Sequence, residues 1–264
     1  MTTPQRGSLI VVGTGIKLAQ HCTPEARDAI VNCDILYAAG GDPITQQWLA
    51  TLNDAMVSLH DVYRAGRRRD NVYEDMVETV LDGVRSGKTV CAVFYGHPGV
   101  YVYASHEAIR RARLEAYDAR MLPGISAEDC LYADLGVDPG RTGCQSYEAT
   151  DFLIHARKID PTASLILWQI ALAGDRTLRV LDSDPKRIEV LAEVLMYTYP
   201  ADHLVTVYEA ATLPITQPKI QQVRLRDLHT VSTSQESTLY VPPLSEPQPC
   251  PDRLALLDAR LSSR

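Results

Sequence analysis

Short apolar runs alternate with amphipathic stretches through the first half of the chain. Leu9 to Val12 is uninterruptedly apolar after Ser8 and stops at Gly13-Thr14-Gly15, which predicts a buried strand ending in a sharp turn. Thr23-Pro24-Glu25 supplies a cap, a proline at the first helical position and an early acid, and so opens a helix to about Asn32. Asp34 to Ala39 reads as the next strand, Pro43 to Leu52 as a proline-led helix, and Ala55 to Leu59 as a third strand. From Tyr73 to Arg85, the residues Met76, Val77, Val80, Leu81 and Val84 share one helical stripe. Lys88 to Tyr95 is the most strand-like segment, and Ser105 to Ala116 is a helix with Arg110, Arg111 and Arg113 on its solvated side.

After Pro123-Gly124 the pattern changes. A helix from Ala127 to Leu135 precedes the break at Asp138-Pro139-Gly140, and strands follow at about 143–148, 163–170, 203–210, 220–225 and 237–241. A helix from Lys186 to Tyr197 separates two of them. Several of these strands lie too close together for a helical crossover, so this sheet is expected to be mixed. The expected organisation is an N-terminal α/β domain over 1–124, a mixed α/β domain over 125–243, and a linker with a terminal helix over 244–264.

Composition narrows the partners. With 264 residues and 45% apolar content the chain is of ordinary globular make-up and long enough for two domains, and its net charge of −7 argues against duplex DNA or bulk RNA. Met1 to Gly7 lacks the apolar core of a signal peptide. The longest uncharged window, Thr89 to His106, is broken by Gly96, His97, Pro98 and Gly99, so no membrane span is expected. The six cysteines have no paired C-x-x-C spacing; they read as reduced thiols of a cytoplasmic protein, with no metal site.

Four segments carry candidate chemistry. Gly13-Thr14-Gly15 is a tight turn or a close backbone approach to a ligand, but Leu18 stands where a dinucleotide fingerprint needs its third glycine. Phe94-Tyr95-Gly96-His97-Pro98-Gly99-Val100 follows a buried strand and turns sharply enough to expose main-chain donors, as a ligand loop does. Pro123-Gly124-Ile125-Ser126-Ala127-Glu128 places a hydroxyl at a helix start, either as a cap or as a ligand contact. Trp168-Gln169 ends an apolar strand with an amide, which, if buried, needs a specific partner. Beside these, Tyr63, Arg69 and Tyr73 form either a solvated basic loop with a packing tyrosine or a reactive set. Arg69 and Tyr73 are four apart, on one face if the helix begins by Asp70, and a guanidinium lowers the pKa of a neighbouring phenol.

These segments, with Tyr208-Glu209-Ala210 and Ser237-Thr238-Leu239, resemble the tetrapyrrole methylase superfamily over about residues 7–243, and most closely its borosin branch of peptide backbone α-N-methyltransferases. Gly96-His97-Pro98 stands where corrin and porphyrin methylases carry Gly-Asp-Pro, and their Pro-Gly-Asp after the first glycine turn is absent. The resemblance implies a two-domain α/β fold with S-adenosylmethionine (SAM) in the inter-domain cleft. It implies Tyr63, Arg69 and Tyr73 as catalytic residues, with Arg68 the substitute for Arg69 if the loop register differs by one. Tyr95, His97, Val100, Ala127, Gln169, Tyr208, Ala210, Ser237 and Thr238 would line the SAM pocket. The expected reaction is methylation of backbone amides; the alternatives are a precorrin or uroporphyrinogen C-methyltransferase and a non-catalytic binding subunit. A homodimer is expected, and with two peptides a heterotetramer. Residues 250–264 alternate charge with leucine in a helical pattern, unlike an apolar peptide to be methylated, so the precursor peptide is expected on a separate chain and the terminal segment to pack as a helix.

Overall fold

A computed structural model describes residues 6–59, 69–177 and 182–261. The chain clusters into two compact units. The first comprises Met1–Val137 with Asp175–Asp182 and Tyr208–Lys219, and the second Asp138–Gly174, Ser183–Val207 and Ile220–Arg264.

The first unit is built on a parallel sheet. Its elements are β1 (Ser8–Gly13), α1 (Pro24–Asn32), β2 (Ile35–Ala39), α2 (Pro43–Leu52), β3 (Met56–Ser58), α3 (Arg69–Arg85), β4 (Thr89–Phe94), α4 (Tyr103–Leu114), β5 (Asp118–Met121) and α5 (Ala127–Leu135). The strand order is β3-β2-β4-β1-β5, with every pair parallel. Strands covered on both faces need apolar residues at consecutive positions, as β1 and β4 have. One face packs Leu9, Val11, Val90, Ala92 and Phe94 against α3 and α4. The other packs Val12, Leu36, Cys91 and Val93 against Ala26, Ile30 and Leu49 of α1 and α2. The chain leaves β2 towards β3 and β4 towards β5, so the connections diverge between the adjacent strands β2 and β4, whereas those leaving β1 and β4 cross on opposite faces of the sheet. The loop after β4 thus edges the crevice that an open α/β sheet leaves at its carboxyl edge.

The caps follow the sequence signals. Thr23 and Asp42 accept backbone N–H bonds at the starts of α1 and α2, each followed by proline. β5 is an addition to the expected elements. It is a four-residue edge strand with Ala119 alone buried, too short and polar to show as an apolar run.

The second sheet runs β6 (Cys144–Glu148), β7 (Ser164–Trp168), β10 (Thr238–Val241), β8 (Leu204–Glu209) and β9 (Lys219–Arg224) in the order β6-β7-β10-β8-β9. It is mixed, as expected, since β6 pairs parallel with β7 and β10 antiparallel with it. Helices α6 (Pro139–Thr142), α7 (Ala149–Ile154) and α8 (Pro185–Leu195) accompany it, and Phe152, Ile188, Leu191 and Leu195 cover Leu165, Leu167 and Leu239. The terminal segment forms α9 (Pro251–Leu261), but the expectation that it packs is not met: all eleven residues are exposed, because arginine and aspartate interrupt the leucines.

At the carboxyl edge, a Cβ added to Gly13 would lie 2.0 Å from the Gly96 carbonyl oxygen, whereas one added to Gly136, at φ +65°, meets open space. Gly13→Ala is therefore expected to cost about 3 kcal/mol or more in urea unfolding. Gly136→Ala is expected to cost only ~1–2 kcal/mol, for its left-handed backbone alone.

Candidate active site

Backbone hydrogen bonds hold the loops after β1 and β4 together. Thr14 donates its N–H to Phe94 O at 2.9 Å, and Gly15 and Gly96 exchange N–H bonds at 3.2 and 3.0 Å. Both glycines have positive φ, +68° and +70°, which only glycine adopts without cost. In the loop that follows, His97 Nδ1 accepts the Gly99 N–H at 2.9 Å and the His97 carbonyl accepts the Val100 N–H at 3.2 Å. The imidazole thus holds its own turn. Ser105 Oγ lies within hydrogen-bond distance of the Pro98 and Val102 carbonyls, 2.5 and 2.8 Å, tying the loop's far end to α4.

The segment before α5 approaches the same place. A Cβ on Gly124 would lie 3.2 Å from Gly96 O. Ser126, open to two readings from sequence, is a helix cap: its Oγ accepts the Asp129 N–H, and Asp129 Oδ2 accepts the Ser126 N–H at 2.7 Å. Ala127 is the first helical residue after it. Leu18 donates its N–H to Thr212 O at 2.8 Å, which brings the segment containing Tyr208 and Ala210 against the loop after β1. Tyr208 is 1% exposed, and its Oη donates to Asp134 Oδ2 at 2.7 Å. Burial and the Asp134 carboxylate push this phenol far above its ordinary range, so it stays protonated and its hydroxyl is committed. Tyr95 lies within electrostatic reach of Tyr208. The first unit thus gathers Tyr95, His97, Val100, Ala127, Tyr208 and Ala210 about one sheet edge.

In the second unit, Gln169 follows β7 in a left-handed conformation, φ +55°, and is exposed. The condition of burial is therefore not met: the turn leaves the amide exposed. The next residue, Ile170, donates its N–H to Ser237 O at 3.2 Å, so Gln169 and the buried pair Ser237 and Thr238 occupy one end of that sheet.

Arg69 and Tyr73 lie one turn apart at the start of α3, which follows β3 and so begins at the carboxyl edge of the first sheet. The Tyr73 ring stands 6.3 Å from that of Tyr103, whose hydroxyl donates to Glu74 at 3.0 Å. Arg69 Nη2 lies 3.4 Å from Oδ2 of Asp175. Asp175 is a site residue that the sequence reading does not contain; its only signal is an acid directly after the apolar run Ala163–Ala173 and Gly174. The expected catalytic Tyr63 and the substitute Arg68 lie outside the described residues. Among the described residues, no group of three or more His, Cys, Asp or Glu could hold a metal ion, and no helix is long and apolar enough to cross a membrane.

An ion network locks α3 to α4. Arg111 donates to Glu74, Glu78 and Glu107 at 2.5, 3.0 and 2.6 Å, and Arg110 also binds Glu107.

The family model for tetrapyrrole (corrin/porphyrin) methylases matches residues 8–228. A methyltransferase and gymnopeptides precursor of Gymnopus fusipes is 40% identical over 98% of this chain and 63% of its own length. A methyltransferase and omphalotin A precursor of Omphalotus olearius is 39% identical over 92% and 59%. The chain thus spans about 60% of the length of these curated relatives. Among solved structures, the uroporphyrin-III C-methyltransferase of Thermus thermophilus superposes with TM-score 0.62 at 18% identity, covering 90% of this chain and 93% of that one. Cobalt precorrin-4 methyltransferase gives 0.64 at 18% identity, with 92% and 97% covered.

The Arg110 and Arg111 guanidiniums hold the Glu107 carboxyl down at about 2, from an ordinary 4.5. Its contribution to stability is therefore complete above pH 4.5 and is lost as pH falls through about 2. Glu107→Gln is expected to cost on the order of 1–2 kcal/mol at pH 7, a gap that closes as denaturation is repeated towards pH 2.

Proposed function

The chain belongs to the tetrapyrrole methylase family, and we propose that it is a SAM-dependent methyltransferase that α-N-methylates backbone amides of a ribosomally made precursor peptide. The observation that carries this reading is the Arg69–Tyr73 pair, a cation and a phenol on one face of the first turn of α3. The names of the relatives, which join methyltransferase to peptide precursor, support it.

The residues at the sheet edge suit the cofactor. The neighbouring loops after β1 and β4, with main chain drawn close at Gly13, Gly15 and Gly96, offer a carboxyl edge lined by backbone. We assign Tyr95, His97, Val100, Ala127, Tyr208 and Ala210 to SAM binding from the first unit, and Gln169, Ser237 and Thr238 from the second. SAM supplies an electrophilic methyl group on a sulfonium.

An amide nitrogen is a poor nucleophile, because its lone pair is delocalised into the carbonyl. A tyrosinate at Tyr73, assisted by Tyr63, takes the N–H proton. Arg69 holds the carbonyl oxygen as negative charge moves onto it, a preorganised cation where the transition state needs one. SAM, when bound, would supply its methyl group to this nitrogen and leave as the neutral thioether, and the protein's remaining task is alignment.

We propose the peptide on a separate chain; α9, which alternates charge with leucine and is unlike a run of small apolar residues to be methylated, supports that reading. A homodimer, and a heterotetramer with two peptides, completes the assembly; the exposed leucines of α9 support such an association. None of the six cysteines is joined in a disulfide, which supports a reducing cytoplasm. Light scattering of the active protein checks the dimer.

The deciding experiment offers labelled SAM with a synthetic Val/Ile/Gly-rich peptide, supplied separately or fused after Arg264, and with uroporphyrinogen III. Mass increments on peptide nitrogens support the proposal, and those on the separate peptide support the split arrangement. Methyl transfer to the ring alone overturns it in favour of a tetrapyrrole methylase. Arg69→Ala and Tyr73→Phe are each expected to lower turnover ~100-fold or more while calorimetric SAM affinity changes less than ~3-fold. An equal loss of cofactor affinity would move them into the SAM pocket, and a dead Arg68→Ala beside an active Arg69→Ala would shift the loop register by one.

A further inference from the structure

Asp175 is 2% exposed, and its carboxylate is completely shielded from solvent. A carboxylate so placed is costly unless other groups satisfy it. Oδ1 takes both the N–H of Thr177 at 2.9 Å and its hydroxyl at 2.6 Å, which fixes the plane of the carboxylate. Oδ2 is thereby turned towards Arg69 Nη2, 3.4 Å away, on a guanidinium whose side chain is 16% exposed. This contact is longer than the 2.7–2.9 Å of a tight charge-assisted bond. A guanidinium has five N–H donors, so one edge can stay on Asp175 while another meets an incoming oxygen.

We infer that Asp175 is the positioning residue and counter-ion of Arg69, offsetting its charge so that the site takes a neutral amide in the ground state and spends its electrostatic attraction on the oxyanion that forms later. This rests on the catalytic reading of Arg69. The physical reason is differential binding: an unopposed guanidinium attracts any carboxylate, whereas a balanced one gains most where negative charge is newly created. Asp175 therefore acts on rate through orientation and on substrate class through charge, against polycarboxylates and for uncharged backbone.

The test uses Asp175→Asn, which keeps shape and the bonds to Thr177 but removes the charge. With the synthetic peptide, kcat is expected to fall about 10- to 100-fold while KM moves less than ~3-fold. Calorimetric binding of propane-1,2,3-tricarboxylate, with no methyl acceptor present, is expected to tighten ~10-fold or more. Asp175→Glu, which restores the charge on a longer arm, is expected to return the tricarboxylate affinity to the wild-type value while kcat stays reduced. Thr177→Val, which removes the hydroxyl bond to Oδ1 and leaves only the backbone N–H, is expected to lower kcat without the gain in tricarboxylate affinity. A folded Asp175→Asn protein with wild-type kcat and wild-type tricarboxylate affinity overturns the inference. Should that variant not fold, an unchanged kcat in Thr177→Val overturns it instead. The tricarboxylate titration decides the counter-ion role even if the wild-type protein methylates uroporphyrinogen and not peptides, an outcome that would sink the proposed function separately.

Discussion

Two backbones crossing at van der Waals distance set the geometry of the first unit. Where β1 and β4 end, Gly15 and Gly96 exchange hydrogen bonds, and Gly13 lets the Gly96 carbonyl come closer than any side chain would permit. The crossing sits at the carboxyl ends of two neighbouring strands, so it fixes the spacing of the loops that follow them. The His97 turn is braced internally through Gly99, and the segment before α5 rests on the same carbonyl. A substitution there perturbs several loops at once, because each takes its position from the others.

The reactive pair depends on a second constraint, the fastening of α3. Its start carries Arg69 and Tyr73, and its exposed face is bound to α4 by guanidinium–carboxylate contacts centred on Arg111 and Glu107. Individually, such surface contacts contribute little, but a network of bidentate arginines resists sliding of one helix along the other. Tyr103, beside Tyr73, belongs to the helix that follows the His97 loop, so the loop and the start of α3 share a neighbour. Asp175 adds a restraint from a distant part of the sequence, acting on Arg69 directly.

Much of this was legible in the sequence because the physics was local. Continuous apolar runs gave β1, β2 and β4, and proline after a capping side chain located α1 and α2 to within a residue or two. The helical placement of Arg69 and Tyr73 on one face followed from their spacing, once α3 was seen to start at Arg69. What escaped was short or depended on the fold. β5 buries one side chain and α7 is six residues long, so neither has a period to read. Gln169 faces outward because its backbone adopts the left-handed region, which no composition signal announces for a glutamine. Asp175 is separated from Arg69 by 106 positions, and only tertiary structure brings the two together.

The first unit is discontinuous: after Val137 it is completed by Asp175–Asp182 and Tyr208–Lys219, with second-unit residues in between. During synthesis this imposes an order on assembly. The parallel sheet through β5 can form early, yet Arg69 waits for its counter-ion until residue 175 has left the ribosome, and Asp134 waits for its phenol until residue 208 has done so. The nascent first unit therefore carries Arg69 without Asp175, and Asp134 without Tyr208, for a substantial part of translation. Both contacts are completed only as the later part of the chain emerges, so a truncation ahead of residue 219 forfeits part of both units.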